Sequence, residues 1–163
     1  MNTFLQKLQQ GDLQDFTGTQ LHLEIPLRIG VLNQMISEAI ADVESIREVK
    51  ITQVRNGEVT IVIHTNILTF KERIITGRVL KNLEFPNPTV RIQITDGLGF
   101  TGRKLVSMAL PDGMELDGKE LCISLNQFIF KAIPYSEVFL RLATRAEVET
   151  REKDFLVRLD IQK

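Results

Sequence analysis

Cysteine and histidine are scarce in this chain, and their scarcity narrows its chemistry. Cys122 is the single cysteine among 163 residues, so no internal disulfide can form. That is compatible with a reducing compartment. His22 and His64 are the only histidines. No C-x-x-C, H-E-x-x-H or EF-hand spacing occurs, so no sequence-local metal site is expected. Charge of one sign is also lacking: 20 Lys and Arg stand against 21 Asp and Glu, a formal net charge of −1. Nothing forms the basic stripe of a nucleic-acid binder. Arg145, Arg151, Lys153 and Arg158 are interleaved with Glu147, Glu149, Glu152 and Asp154, the pattern of a solvated mixed-charge hairpin. No run approaches the ~18 apolar residues of a membrane span, so no transmembrane segment is expected. The opening M-N-T-F-L-Q-K-L-Q-Q-G-D has no long apolar core and no small-residue cleavage site, so it does not read as a signal peptide. The expected location is cytoplasmic as the chain is written, with export only if a signal has been removed.

What is present is an ordinary globular composition. Hydrophobic residues make up 43% and charged residues 25%, close to the usual ~45–50% and ~25%. The length suits one domain, residues 1–163, with 1–18 as a candidate for a loosely packed leading segment. Such a chain buries roughly 68–70% of its unfolded surface and needs no disulfide or metal to hold a core.

Periodicity supplies the elements. Residues 3 to 9 can make a short helix. Leu21, Leu23 and Ile25 alternate with His22 and Glu24, as in a half-buried strand, and Pro26 ends that strand or starts the helix beyond it. Residues 27 to 45 carry Ile29, Leu32, Ile36, Ala39, Ile40 and Val43 at three- and four-residue steps, which predicts a long amphipathic helix. Asn56-Gly57 predicts a tight hairpin between strands around Val49–Ile51 and Val59–Ile63. Further strands are expected at 73 to 83, 89 to 95, 121 to 125, 136 to 147 and 154 to 162, with short helices at 103 to 109 and 126 to 132. Strands joined by hairpin-length turns predict an antiparallel sheet in an α+β fold, not alternating βα units.

One stretch invites a nucleotide. D-G-L-G-F-T-G-R-K, residues 96 to 104, places Gly97, Gly99 and Gly102 in G-x-G-x-x-G spacing. A dinucleotide fingerprint also needs a long helix within a parallel βαβ unit and an acid at a strand end about 20 residues on. Pro111 stops the helix early, and Asp117 sits in an Asp-Gly turn. Gly102-Arg103-Lys104 lacks the order of a P-loop. The structural reading is that Gly97 and Gly99 allow positive φ and that Gly102 permits close packing. Phe100 is then either a core plug or an exposed contact for an apolar partner. Cys122 lies in the alternating strand E-L-C-I-S-L-N and reads as a small inert thiol. Each histidine falls on the polar face of a strand and can pair with a carboxylate, but no triad is legible. No catalytic residue and no cofactor is expected.

Two strands are apolar on both sides. Ile75, Val79 and Leu83, with Phe85 in phase, project one way while Ile74 and Leu80 project the other. Leu156 opposes Phe155, Val157 and Leu159. Either the sheet is covered on both faces, by short helices or a partner subunit, or it curls round the helix and leaves an apolar groove. The order strand, I-P-L, N-Q-M-I-S-E-A-I, I-R-E-V-K-I-T-Q-V and E-V-T-I-V-I-H, followed by A-L-P-D-G-M-E-L-D-G-K-E-L-C-I-S-L-N and a closing hairpin, resembles the tubular lipid-binding superfamily and its small bacterial lipoprotein relatives over roughly residues 18 to 162. The resemblance implies a long helix wrapped by a strongly curved antiparallel sheet, with a hydrophobic channel between them for lipid chains. The chain departs from exported or lipid-anchored relatives in having neither a signal nor a lipobox cysteine.

These readings give an α+β expectation: a curved antiparallel sheet packed on one long amphipathic helix, plus short helices. The expected function is non-catalytic binding of a lipid or other apolar ligand, or of a membrane surface, in a groove between helix and sheet. The expected lining is Leu32, Ile36 and Ile40 from the helix, Val79 and Leu83 from the sheet, and Phe100 from the glycine loop. The alternative is a protein–protein interaction module, such as a homo-oligomer, with no small-molecule ligand.

Overall fold

A computed structural model of the chain describes Gly18 and residues 20–69, 71–83, 87–110, 112–128, 130–132 and 136–162. The helix expected at 3 to 9 and the position of Phe85 lie outside these residues. Among them run nine strands: β1 (Gln20–Arg28), β2 (Ile46–Arg55), β3 (Glu58–Thr65), β4 (Glu72–Val79), β5 (Thr89–Asp96), β6 (Met114–Asp117), β7 (Glu120–Ser124), β8 (Ala143–Arg151) and β9 (Asp154–Gln162). Four α-helices accompany them: α1 (Ile29–Ala39), α2 (Phe100–Ala109), α3 (Leu125–Phe128) and α4 (Ser136–Leu142). One sheet has the order β1-β9-β8 and the other β2-β3-β4-β5-β7-β6, antiparallel throughout.

This corrects the α+β expectation. The fold is mostly β, its larger sheet is curled, and no long helix packs on a sheet among the described residues. The apolar repeat from 27 to 45 forms only 11 residues of helix, about 16 Å at ~1.5 Å per residue. Both ends lose to competing hydrogen bonds. At the start, Pro26, Leu27 and Arg28 pair with Leu156, Phe155 and Asp154. Pro26 neither ends the strand nor starts the helix, because β1 is an edge strand and an edge tolerates proline. At the far end, Val43 N–H donates to Ile40 C=O at 2.9 Å and Ile46 N–H to Val43 C=O at 3.1 Å, tight turns that replace the helical repeat.

A second correction concerns residues 136 to 142, expected as strand and found as α4 before β8 begins. Val138, Leu140 and Leu142 suggest a period of two. The buried pair is instead Ser136 and Leu140, four residues apart on one helical face. The Ser136 hydroxyl donates to the Phe130 carbonyl at 2.6 Å, so its burial leaves no orphan donor. The Asn56-Gly57 turn forms as expected, with φ 51° and 83° at the two residues.

The core follows from strand alternation. Val59, Ile61 and Ile63 of β3, Ile75 and Val79 of β4, and Val90, Ile92 and Ile94 of β5 point inward and are buried. In the smaller sheet, Leu23, Ile25 and Leu27 lie opposite Leu159, Val157 and Phe155. Val148 and Ala146 lie opposite Val157 and Leu159 on the other side. The two inner faces share one apolar cluster. Beyond β4 the chain joins the sheets: Leu83 N–H donates to Ala146 C=O at 3.1 Å and Val148 N–H to Lys81 C=O at 2.8 Å. Register shifts in the β2–β3 and β4–β5 pairs add the local twist that curls the larger sheet. The two-faced strands resolve differently. Ile74 is 53% exposed, whereas Leu156 is buried on the face opposite Phe155 and Val157.

Candidate functional site

Short as it is, α1 is fixed firmly. Among the described strands β2 lies at an edge, and one side of its backbone has no strand partner there. Asn33 supplies one. Its side-chain amide donates to the Ile51 carbonyl at 3.0 Å, and its amide oxygen accepts the Ile51 N–H at 2.7 Å. The side chain thus completes both backbone groups of Ile51, beside the register shift between Ile51 and Gln53. This clamp holds the apolar stripe of α1 over the inner sheet face.

Beneath the stripe lies a cavity of about 110 Å³. Leu32, Met35, Ile36 and Ile40 bound it from the α1 side, and Val106 of α2 with Leu110 from another. The larger sheet contributes inner residues that include Ile51, Ile61, Ile75, Ile92 and Ile123. The smaller sheet contributes Leu27, Val148 and Phe155. Every lining side chain is apolar, and apart from the weakly accepting thioethers of Met35 and Met114 none offers a donor, acceptor or charge to a ligand.

Met35 and Leu110 also line a second, polar cavity of about 670 Å³ together with Glu38, Ala39, Asp112, Gln127 and Lys131. The apolar space therefore adjoins a polar one along these two side chains. Two carboxylates, one ammonium and one amide surround the outer space.

Of the six side chains expected at a site, three converge here: Leu32, Ile36 and Ile40. Val79 and Leu83 are packed in the core, each 6% exposed, and do not line the cavity. Phe100 opens α2, and its side chain lies outside what the structure describes. Pattern reading missed Met35 and Leu110, which touch both spaces. It also missed Asn33, which has no periodic signal because its role is set by a strand 18 residues away.

The groups considered for chemistry do not assemble. Cys122 is on β7, His22 on β1 and His64 on β3. His22 Nδ1 lies 2.7 Å from Asp160 Oδ1 at the exposed face of the smaller sheet. His64 lies between Glu48 and Glu72, at 3.8 and 3.6 Å. Cys122 is buried, and that burial pushes its thiol pKa up, the direction of an inert thiol. Glu24 pairs with Arg158 at 2.9 Å, and Arg158 also reaches Glu149 at 3.0 Å, a surface network of the mixed-charge hairpin. Among the described residues no group of three or more His, Cys, Asp or Glu side chains could hold a metal ion, and no helix is long and apolar enough to cross a membrane.

Comparison with family models, curated proteins and solved structures finds no match to this chain.

Proposed function

We propose that this chain is a non-catalytic binding protein for a small amphiphile, whose apolar end enters the cavity under α1 and whose polar end faces Glu38, Asp112, Gln127 and Lys131. The observation that carries this reading is the wholly apolar lining next to a polar space. An empty space with no polar partners is a poor site for water, which needs two to four hydrogen bonds, and a good one for hydrocarbon. Size limits the occupant. At about 110 Å³ the cavity is near the ~150 Å³ of an engineered apolar cavity that stays dry and admits benzene. It is below the ~300–1,000 Å³ of sites that enclose a drug-sized ligand. One ring or the end of one chain fits; the remainder of the molecule lies outside. The resemblance to the tubular lipid-binding superfamily implies the same ligand class, but it does not carry the reading, because the short α1 stands where that architecture has a long helix.

The test is native mass spectrometry of freshly purified protein, with organic extraction of anything released, followed by titration with decanol read at the methyl resonances of Leu32, Ile36 and Val106. A stoichiometric adduct, or saturable shifts confined to the lining methyls, supports the reading. An apo mass together with unmoved methyl resonances would remove it.

A further inference from the structure

The glycine loop leads to a second site that shares no lining residue with the apolar cavity. Where β5 ends, a polar cavity of about 440 Å³ opens between the start of β4, the 97–99 loop, the first turn of α2 and the β6–β7 turn. Three cations line it: Arg73, Arg103 and Lys119. Asp96 is the one carboxylate in the lining, and one of its oxygens accepts the Gly97 N–H at 2.7 Å. Among the described residues neither Arg103 nor Lys119 has an ion pair. The Arg103 Nε is shut off from solvent and has no hydrogen-bond partner. A buried guanidinium donor left unmade costs free energy, so a rotation of the Arg103 side chain that brings it to an entering acceptor is favoured.

We propose that this cavity binds a soluble phosphate monoester. Arg103 and Lys119, which have no ion pair among the described residues, bring two positive charges to the wall beside its one carboxylate, Asp96, and that favours a group carrying roughly −1.5 to −2 at pH 7, as a monoester does. The donors also match: a guanidinium and an ammonium face a group with three strong acceptor oxygens. Among the described residues no side chain caps α2 at Gly99, and the first N–H groups of that helix add positive potential on the same side. The cavity is within the ~300–1,000 Å³ range of small-molecule sites, larger than a phosphate alone requires, which leaves space for the esterified group. A dinucleotide does not fit the same observations, because both neighbours of β5 are antiparallel to it and no βαβ unit surrounds the loop among the described residues.

The experiment is a heteronuclear NMR titration of the full chain with phenyl phosphate and with inorganic phosphate, at constant ionic strength. Saturable shifts at the amides of Gly97, Leu98 and Gly99 are expected, with phenyl phosphate the tighter ligand. Arg103→Gln and Lys119→Gln should each weaken binding about tenfold, and the double variant should abolish it. Lys119 lies in an exposed turn, so Lys119→Gln keeps the test readable if Arg103→Gln unfolds, which a thermal melt reports. Shifts that persist in the double variant, or that a matched titration with sodium chloride reproduces, would overturn the proposal. So would sedimentation of the protein with phosphatidic acid vesicles in the absence of any phenyl phosphate binding, since the ligand would then be a membrane headgroup.

Discussion

Val106→Phe tests the apolar cavity through stability and binding together. Val106 of α2 is part of the cavity wall and is only partly buried, so a larger side chain there can extend over the cavity. An unfilled apolar cavity costs about 24 cal/mol per Å³. For a volume of about 110 Å³, complete filling would recover at most ~2.6 kcal/mol, since the space is partly open to solvent. A phenyl ring that fills about half should therefore stabilise the chain by ~1.3 kcal/mol, or ~3–5 °C in melting temperature for a domain of this size. The same substitution should abolish decanol binding, because ring and ligand compete for one space. Val106→Ala is the opposite control: it enlarges the cavity, should lower stability by ~1 kcal/mol, and should leave binding intact. Urea denaturation with fixed m-values and methyl NMR supply the two readouts. Destabilisation of Val106→Phe by the ~1–3 kcal/mol typical of overpacking, with decanol still bound, would refute the argument. The space would then be packed in solution, and the ligand would sit elsewhere.

Three further outcomes are expected. Asn33→Ala should cost about 2 kcal/mol in urea denaturation, because it strips both partners from the Ile51 backbone groups and leaves them half-buried and unpaired; a loss under ~0.5 kcal/mol would show that water replaces the amide. Gly97→Ala should destabilise by more than ~2 kcal/mol, since φ is 90° there and a Cβ would fall 1.9 Å from the Ile74 carbonyl oxygen. Gly99→Ala, at φ −68° with nothing within 4 Å of a Cβ, should cost under ~1 kcal/mol, and equal urea midpoints for the two variants would contradict the loop geometry. Cys122 should resist a thiol-reactive disulfide reagent until the chain unfolds. Because burial raises its pKa, the unfolded thiol ionises first, so stability should hold at neutral pH and fall as pH rises past the ordinary thiol range; prompt labelling of the folded protein would refute its burial.

Strands proved more legible than helices, and the reason is where their competitors lie. Alternation in Val59-Ile61-Ile63 and Val90-Ile92-Ile94 states which face is buried whatever the partner, and both strands form as read. The 27 to 45 stripe states only that a helix would be amphipathic. It says nothing of β9, whose register with Pro26, Leu27 and Arg28 takes the first residues away. The α4 segment fails for a related reason: Val138, Leu140 and Leu142 alternate as in a strand, while the helical face that is buried pairs Leu140 with a serine, whose hydroxyl is settled by Phe130, six residues earlier. Leu32, Ile36 and Ile40 were readable as one face, but that the face covers a void and not a packed wall depends on side chains from both sheets. Val79 and Leu83 show the limit, since the same apolar signal placed them in the core.

The glycine loop separates what a motif says from what its residues do. Spacing alone makes Gly97, Gly99 and Gly102 equivalent. In the fold only Gly97 has a positive φ, and only its Cβ would strike backbone, that of Ile74. Gly99 is in ordinary extended geometry with open space beside it, and a Cβ at Gly102 would approach only Leu98, at 4.0 Å. The expectations of positive φ at Gly99 and of close packing at Gly102 are therefore corrected. Gly97 is required because β5 must turn sharply past β4 before α2 begins. That turn is also what brings Arg103 of α2 to the same cavity as Arg73 of β4 and Lys119 of the β6–β7 turn. The three cations are 30, 16 and 46 positions apart pairwise in the chain, so no local window contains them. A substitution that releases the Gly97 turn should accordingly weaken phosphate binding even with all three cations intact. Substitution at Gly99, which leaves the turn in place, should weaken it far less.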